Sequence, residues 1–127
     1  MRKIEYHKQF EKELDEILKK FPSYRKKILN RLQILAKTLE ERGKNVLVEP
    51  YFEKLQESDV LYSLRLAGKK PNIRILFVFS GDTQIVLFVH IFYEKEKSDY
   101  RRAINLAEKR AKRWSEDNEI PLLREVR

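Results

Sequence analysis

The sequence predicts an α+β fold in which an N-terminal helical hairpin packs on a small antiparallel sheet and a basic helix follows the sheet. Three observations predict it. Leu61–Leu66, Ile73–Phe79 and Ile85–Phe92 are runs of β-branched, aromatic and aliphatic residues, the composition of strands. Upstream, apolar residues recur at helical spacing in two stretches divided by Pro22-Ser23. Downstream, Ser98 to Ser115 holds six basic and two acidic residues around a narrow apolar stripe, which makes it a basic helix.

In chain order, Arg2 to Tyr6 is a candidate short first strand. From His7 the period changes, and Phe10, Leu14, Ile17, Leu18 and Phe21 fall on one helical face. Pro22 ends that helix, and Ser23 is expected to cap the next. In the second helix Ile28, Leu32, Leu35 and Leu39 form the stripe, and Gly43 is a natural stop. Asn45 to Asp59 carries little periodicity; within it, Tyr51–Leu55 fits either a short strand or a structured loop.

The three apolar runs are separated by Ala67–Pro71 and Ser80–Thr83, both with turn chemistry. Connections this short make neighbouring strands antiparallel, so the runs form a three-stranded meander. Side chains alternate faces along a strand. Tyr62, Leu64 and Leu66 therefore share one face, as do Ile73, Ile75, Phe77 and Phe79, and then Ile85, Leu87, Val89 and Ile91. The opposite faces each carry one ionisable residue: Arg65, Arg74 and His90, the last flanked by Phe88 and Phe92. If those faces coincide, two guanidiniums and an imidazole line one side of the sheet. A charged loop, Tyr93–Lys97, leads to the final helix, with Ser98 as the expected cap and Asp99 complementing the helix dipole. Ile104, Ala107, Ala111 and Trp114 give its apolar stripe. The tail, 116–127, holds a small apolar cluster and is read as either mobile or docked on the body.

The length, 127 residues, fits one domain covering 1–127. Without cysteine, the chain can form neither a disulfide framework nor a thiolate metal site. The two histidines, His7 and His90, lie far apart without carboxylates at metal-ligand spacing, so no metal and no cofactor are expected. No apolar run is long enough to span a bilayer, and the first residues lack a signal-peptide core; a cytoplasmic location is expected. A net charge of +8 points to nucleic acid or an acidic protein as partner. Residues 46–97 carry 7 basic and 7 acidic side chains, so cations on the sheet stand out against a neutral background.

The order of helix, helix, meander, charged loop and helix carries Leu61-Tyr-Ser-Leu-Arg-Leu66, Ile73-Arg-Ile-Leu-Phe77, Ile85-Val-Leu-Phe-Val-His-Ile-Phe92 and Glu94-Lys-Glu-Lys-Ser-Asp-Tyr-Arg-Arg-Ala103. Together these resemble the RelE/ParE superfamily of toxins from type II toxin–antitoxin systems, most nearly its HigB-like branch. The resemblance covers about Lys54 to Arg110. It departs from the pattern at Ile73, where the branch tends to carry tyrosine, and at Ser63, where some mRNA-cleaving members carry a base. The resemblance implies a cytoplasmic toxin held by a cognate antitoxin, acting as a ribosome-dependent endoribonuclease on translated mRNA. It also leaves open a toxin that inhibits a protein such as DNA gyrase, and a non-enzymatic antitoxin-binding module.

RNA cleavage of this kind uses the substrate's own 2′-hydroxyl as nucleophile. The enzyme supplies a base, a cation for the phosphorane and an acid for the 5′-oxygen. Arg74 suits the phosphate because a guanidinium binds two phosphate oxygens at once, and Arg65 would assist. His90, Lys95 and Tyr100 complete the candidate catalytic set, and with Lys97 they are the candidate proton shuttles. Lys97, Arg101 and Arg102 are the candidate RNA-binding cations.

Overall fold

The computed structural model describes residues 1–66 and 70–125. A five-stranded sheet is covered by a helical hairpin on one face and by a single long helix on the other. The strands are β1 (Lys3–Tyr6), β2 (Phe52–Lys54), β3 (Tyr62–Arg65), β4 (Ile73–Phe79) and β5 (Ile85–Tyr93); the helices are α1 (Phe10–Lys20), α2 (Arg25–Arg42) and α3 (Lys97–Asn118). The order across the sheet is β1-β5-β4-β3-β2. The meander β3-β4-β5 is antiparallel as expected. The sheet as a whole is mixed, because β1 runs parallel to β5, and the ambiguous segment at Tyr51–Leu55 supplies the edge strand β2. A parallel partner needs a long crossover. Both hairpin helices and the rest of the sheet lie between β1 and β5, so local sequence could not show the pairing.

The hairpin helices behave as their periodicity demands. Phe10, Ile17 and Leu18 of α1 and Ile28, Leu35 and Leu39 of α2 are buried against Tyr62, Leu64, Ile73, Ile75, Phe77 and Phe79. The turn at Pro22–Tyr24 is a short 3₁₀ segment, and no side chain caps α2, so Ser23 does not take the capping role. Gly43 ends α2 with φ at 56°, and a Cβ there would fall 2.4 Å from the Arg2 guanidinium. Tyr62 is fully buried with no hydrogen-bond partner for its hydroxyl among the described residues, and burial pushes its phenol up to about 12.

The opposite face of the sheet is not simply a charged face. Leu61, Leu76, Val78, Leu87 and Val89 form a second core under Ala103, Ile104, Ala107 and Ala111 of α3, with Trp114 packed at its margin. The alternation expected for β5 breaks in the middle. Leu76 pairs with His90 and the next residue, Phe77, with Phe88, leaving Val89 as the extra residue of a bulge. Ile91 therefore faces the hairpin with Phe88 and Val86, while Leu87 and Val89 face α3 with Phe92. One inserted residue inverts parity, which is why Phe88 leaves the face it was expected to share with His90 and Phe92.

α3 begins two residues earlier than Ser98 would imply. Glu96 is the N-cap, and it forms a reciprocal capping box with Asp99, whose carboxylate accepts from the Lys95 and Glu96 amides at 2.9 Å. The Ser80–Thr83 turn forms as expected, with Thr83 at φ 61° and the Ser80 hydroxyl donating to Asp82. Ala67 to Lys69 of the other expected turn lie outside the described residues. Past Asn118 the chain crosses back over the sheet. Gly81 donates to the Pro121 carbonyl at 2.7 Å, Leu123 to Phe79 and Glu125 to Asp59, each at 2.9 Å. No described helix is long and apolar enough to cross a membrane.

Candidate functional site

Strand register decides which cations meet. Arg65 pairs with Arg74 across β3 and β4, and Arg74 pairs in turn with Phe92 on β5. The next row on that face runs Glu53, Ser63, Leu76, His90. Two guanidiniums thus stand side by side on strands, at the end of the sheet where α3 begins.

Arg74 is held on several sides. Its Nε donates to Glu94 at 2.8 Å, its Nη1 lies 3.5 Å from Glu53, and its guanidinium sits 4.9 Å from the centre of the Tyr100 ring. Only 15% of the side chain is exposed. Arg65 is exposed and has no ion-pair partner among the described residues. Tyr100, in the first turn of α3, is half-buried, and its hydroxyl lies 3.5 Å from the Glu53 carboxylate. Burial raises its pKa, and the nearby Ser63 hydroxyl and Arg74 charge only partly offset this. At neutral pH Tyr100 is therefore a protonated phenol, able to donate. Beside it lies an open groove of about 400 Å³ lined by Lys97, Arg101, Glu57, Glu94 and Glu108.

The other candidates are placed elsewhere. Lys95 is exposed, with its ammonium 5.8 Å over the Tyr93 ring. Arg102 is exposed and pairs with Asp99. His90 stacks on Phe92, with ring centres 5.4 Å apart and planes 11° from parallel, and Phe92 in turn meets Tyr100. Its Nδ1 lies 2.9 Å from Glu13 on α1. Glu13 also accepts two hydrogen bonds from Arg110, at 3.0 and 2.8 Å, and Arg110 donates to the Val89 carbonyl. Burial alone would raise the Glu13 pKa, but the hydrogen bonds from His90 and Arg110 bring it below the ordinary carboxylate value. His90 is thus locked between helices, with the Phe92 ring between it and the Arg74 cluster.

The structure brings Arg65, Arg74, Tyr100, Lys97 and Arg101 to one end of the sheet, and does not bring His90, Lys95 or Arg102 into that cluster. Sequence reasoning missed the carboxylates. Glu94 had a weak signal, two residues beyond Phe92 on the same strand direction. Glu53 sat in the segment with least periodicity, and Glu13 and Arg110 lie at opposite ends of the chain.

No protein with a curated description matches the sequence. Residues 15–112 match the family described as phage-derived protein Gp49-like (DUF891), a span running from α1 through the whole meander into α3. That span contains every residue of the Arg74 cluster, and on it the chain belongs to the phage-derived Gp49-like family, a toxin-like family related to the RelE/ParE superfamily and associated with toxin–antitoxin systems.

Proposed function

We propose that this protein is the toxin of a type II toxin–antitoxin pair, of the HigB-like kind, and that it cleaves translated mRNA on the ribosome. The observation that carries the reading is the pairing of Arg65 with Arg74 on adjacent strands, with Tyr100 stacked over Arg74 at the mouth of a groove lined by Lys97 and Arg101. Strand backbones fix the guanidiniums, so little reorganisation is needed as charge develops on a phosphate. In this scheme a scissile phosphate displaces Glu94 and Glu53 from Arg74, exchanging one pair of anionic oxygens for another. The 2′-oxygen attacks phosphorus, the bond to the 5′-oxygen breaks, and a cyclic phosphate remains. Tyr100, a protonated phenol, is suited to give the leaving oxygen its proton. The Glu94 carboxylate, freed from Arg74 and lining the groove, takes the 2′ proton, while Lys97 stands by as a cation for the phosphate. A cognate antitoxin would silence the site by covering the same cations with carboxylates.

The test is to map new mRNA 5′ ends in cells briefly expressing the protein, beside Arg74→Ala and Tyr100→Phe. Cuts within translated regions that Arg74→Ala abolishes, and Tyr100→Phe reduces by roughly 10²-fold, support the reading. Cuts that survive Arg74→Ala remove Arg74 from the chemistry. A second reading rests on a specific observation: Arg74 is already neutralised by two carboxylates, as a structural arginine would be. A toxin acting on a protein such as DNA gyrase would leave mRNA intact and perturb supercoiling instead.

A further inference from the structure

α3 carries a second groove, and a basic one, more than three turns beyond the Arg74 cluster. It holds about 570 Å³ between the end of β1 and the C-terminal half of α3. Tyr6, His7 and Lys8 line one side, and Lys109, Arg113, Trp114 and Asp117 line the other, so that with Arg110 four cations face one carboxylate. From Arg101 to Arg113 the helix advances about 18 Å, so the two grooves are distinct.

Its charges are disposed for an anion. Arg110 forms a fixed wall, held by Glu13 and the Val89 carbonyl. Lys8 and Lys109 are exposed and have no ion-pair partner among the described residues. Arg113 has only a loose pair with Asp117 at 3.7 Å, with 83% of its side chain exposed. Aromatic surface is interleaved with the cations: Tyr6 is 48% exposed, and Trp114 is half-buried, anchored on the second core. Burial first, and then the Arg110 charge, hold His7 below its ordinary pKa, so its ring adds a neutral face. Cations alone would suit any polyanion. Cations alternating with fixed aromatic rings suit an anion that carries flat bases.

We propose that the groove between Tyr6 and Trp114 is a binding site for single-stranded RNA, with Lys8, Lys109 and Arg113 on successive phosphates and the aromatic rings against the bases. The site stands apart from cleavage and does not need Arg74. It would hold an RNA strand away from the Arg74 cluster.

Trp114 is the chain's only tryptophan, so its emission reports on this groove alone. The experiment titrates the full-length protein with a short oligouridylate and follows that emission. We expect saturable quenching that weakens roughly 20-fold between about 50 and 200 mM salt, as contact with three phosphates requires. The double variant Lys109→Ala, Arg113→Ala should lose most of that affinity and lower the salt slope by about 1.4, with an unchanged circular dichroism spectrum. Arg74→Ala should quench as the wild type does, whatever becomes of cleavage. Absence of quenching, quenching indifferent to the double variant, or quenching abolished by Arg74→Ala would each overturn the site. Equal quenching by polyglutamate at the same affinity would overturn RNA as its ligand and point to an acidic peptide.

Discussion

Glu13 joins three elements through one carboxylate: it lies on α1, accepts from Arg110 on α3 and meets His90 on β5. Its pKa lies below the ordinary value near 4.5 in the folded protein, so the unfolded chain binds a proton there more tightly than the native one. The stability this supplies is fully present above about pH 4.5 and is lost as pH falls through the lower native value. Urea midpoints measured from pH 7 down to pH 3 should therefore fall more steeply for the wild type than for Glu13→Gln. The variant should be less stable at neutral pH, where Arg110 loses its partner, and the two curves should converge in acid. Parallel curves would mean that Glu13 is not charged against Arg110 in solution. None of this was legible beforehand, because Glu13 and Arg110 are separated by 97 residues and nothing in either neighbourhood names the other.

Among the elements, those defined by a local pattern were readable and those defined by pairing were not. Phe10, Ile17, Ile28, Leu35 and Leu39 marked two helices, and Gly43 marked where the second ends, because a 3.6-residue period and a positive φ are local properties. β3 and β4 likewise followed from composition. The bulge at Val89 did not, since Val86 to Phe92 is apolar apart from His90, and alternation leaves little trace when both faces are buried. That burial has a cause in α3, whose Ala107 and Ala111 are fully buried and let the helix approach the sheet closely. Ala107→Leu should force the helix outward and cost about 1–3 kcal/mol in a denaturant titration. A neutral outcome would mean that space exists between α3 and Val89 or Leu87. The basic residues of α3 diverge round the helix: Arg101 lines the groove at Tyr100, while Arg102, one step on, turns to Asp99.

For the whole molecule, the tail touches both layers around the sheet. Leu122 packs on the α3 core and Leu123 on the hairpin core, so two adjacent residues touch both. Around them the backbone reaches the β4–β5 turn at Gly81, the strand end at Phe79 and the loop before β3 at Asp59, while Glu125 pairs with Lys44 beyond α2. A tail that merely covered surface would touch one element; this one ties the sheet's far end to both layers. Two half-buried leucines and three backbone hydrogen bonds are together worth roughly 2–4 kcal/mol after the entropy of ordering the segment. Truncation after Asn118 should therefore lower Tm by about 10 °C while leaving one cooperative transition, since the hairpin core and the α3 core share the same strands. Two separated transitions in calorimetry would mean that the tail itself couples the layers. An unchanged Tm would mean that residues 119–125 do not hold this docked path in solution. The Arg74 cluster lies at the other end of the sheet from Gly81, so a stable truncated protein should keep whatever activity that cluster has. A loss of activity without a loss of stability would place the tail in the protein's contact with its target.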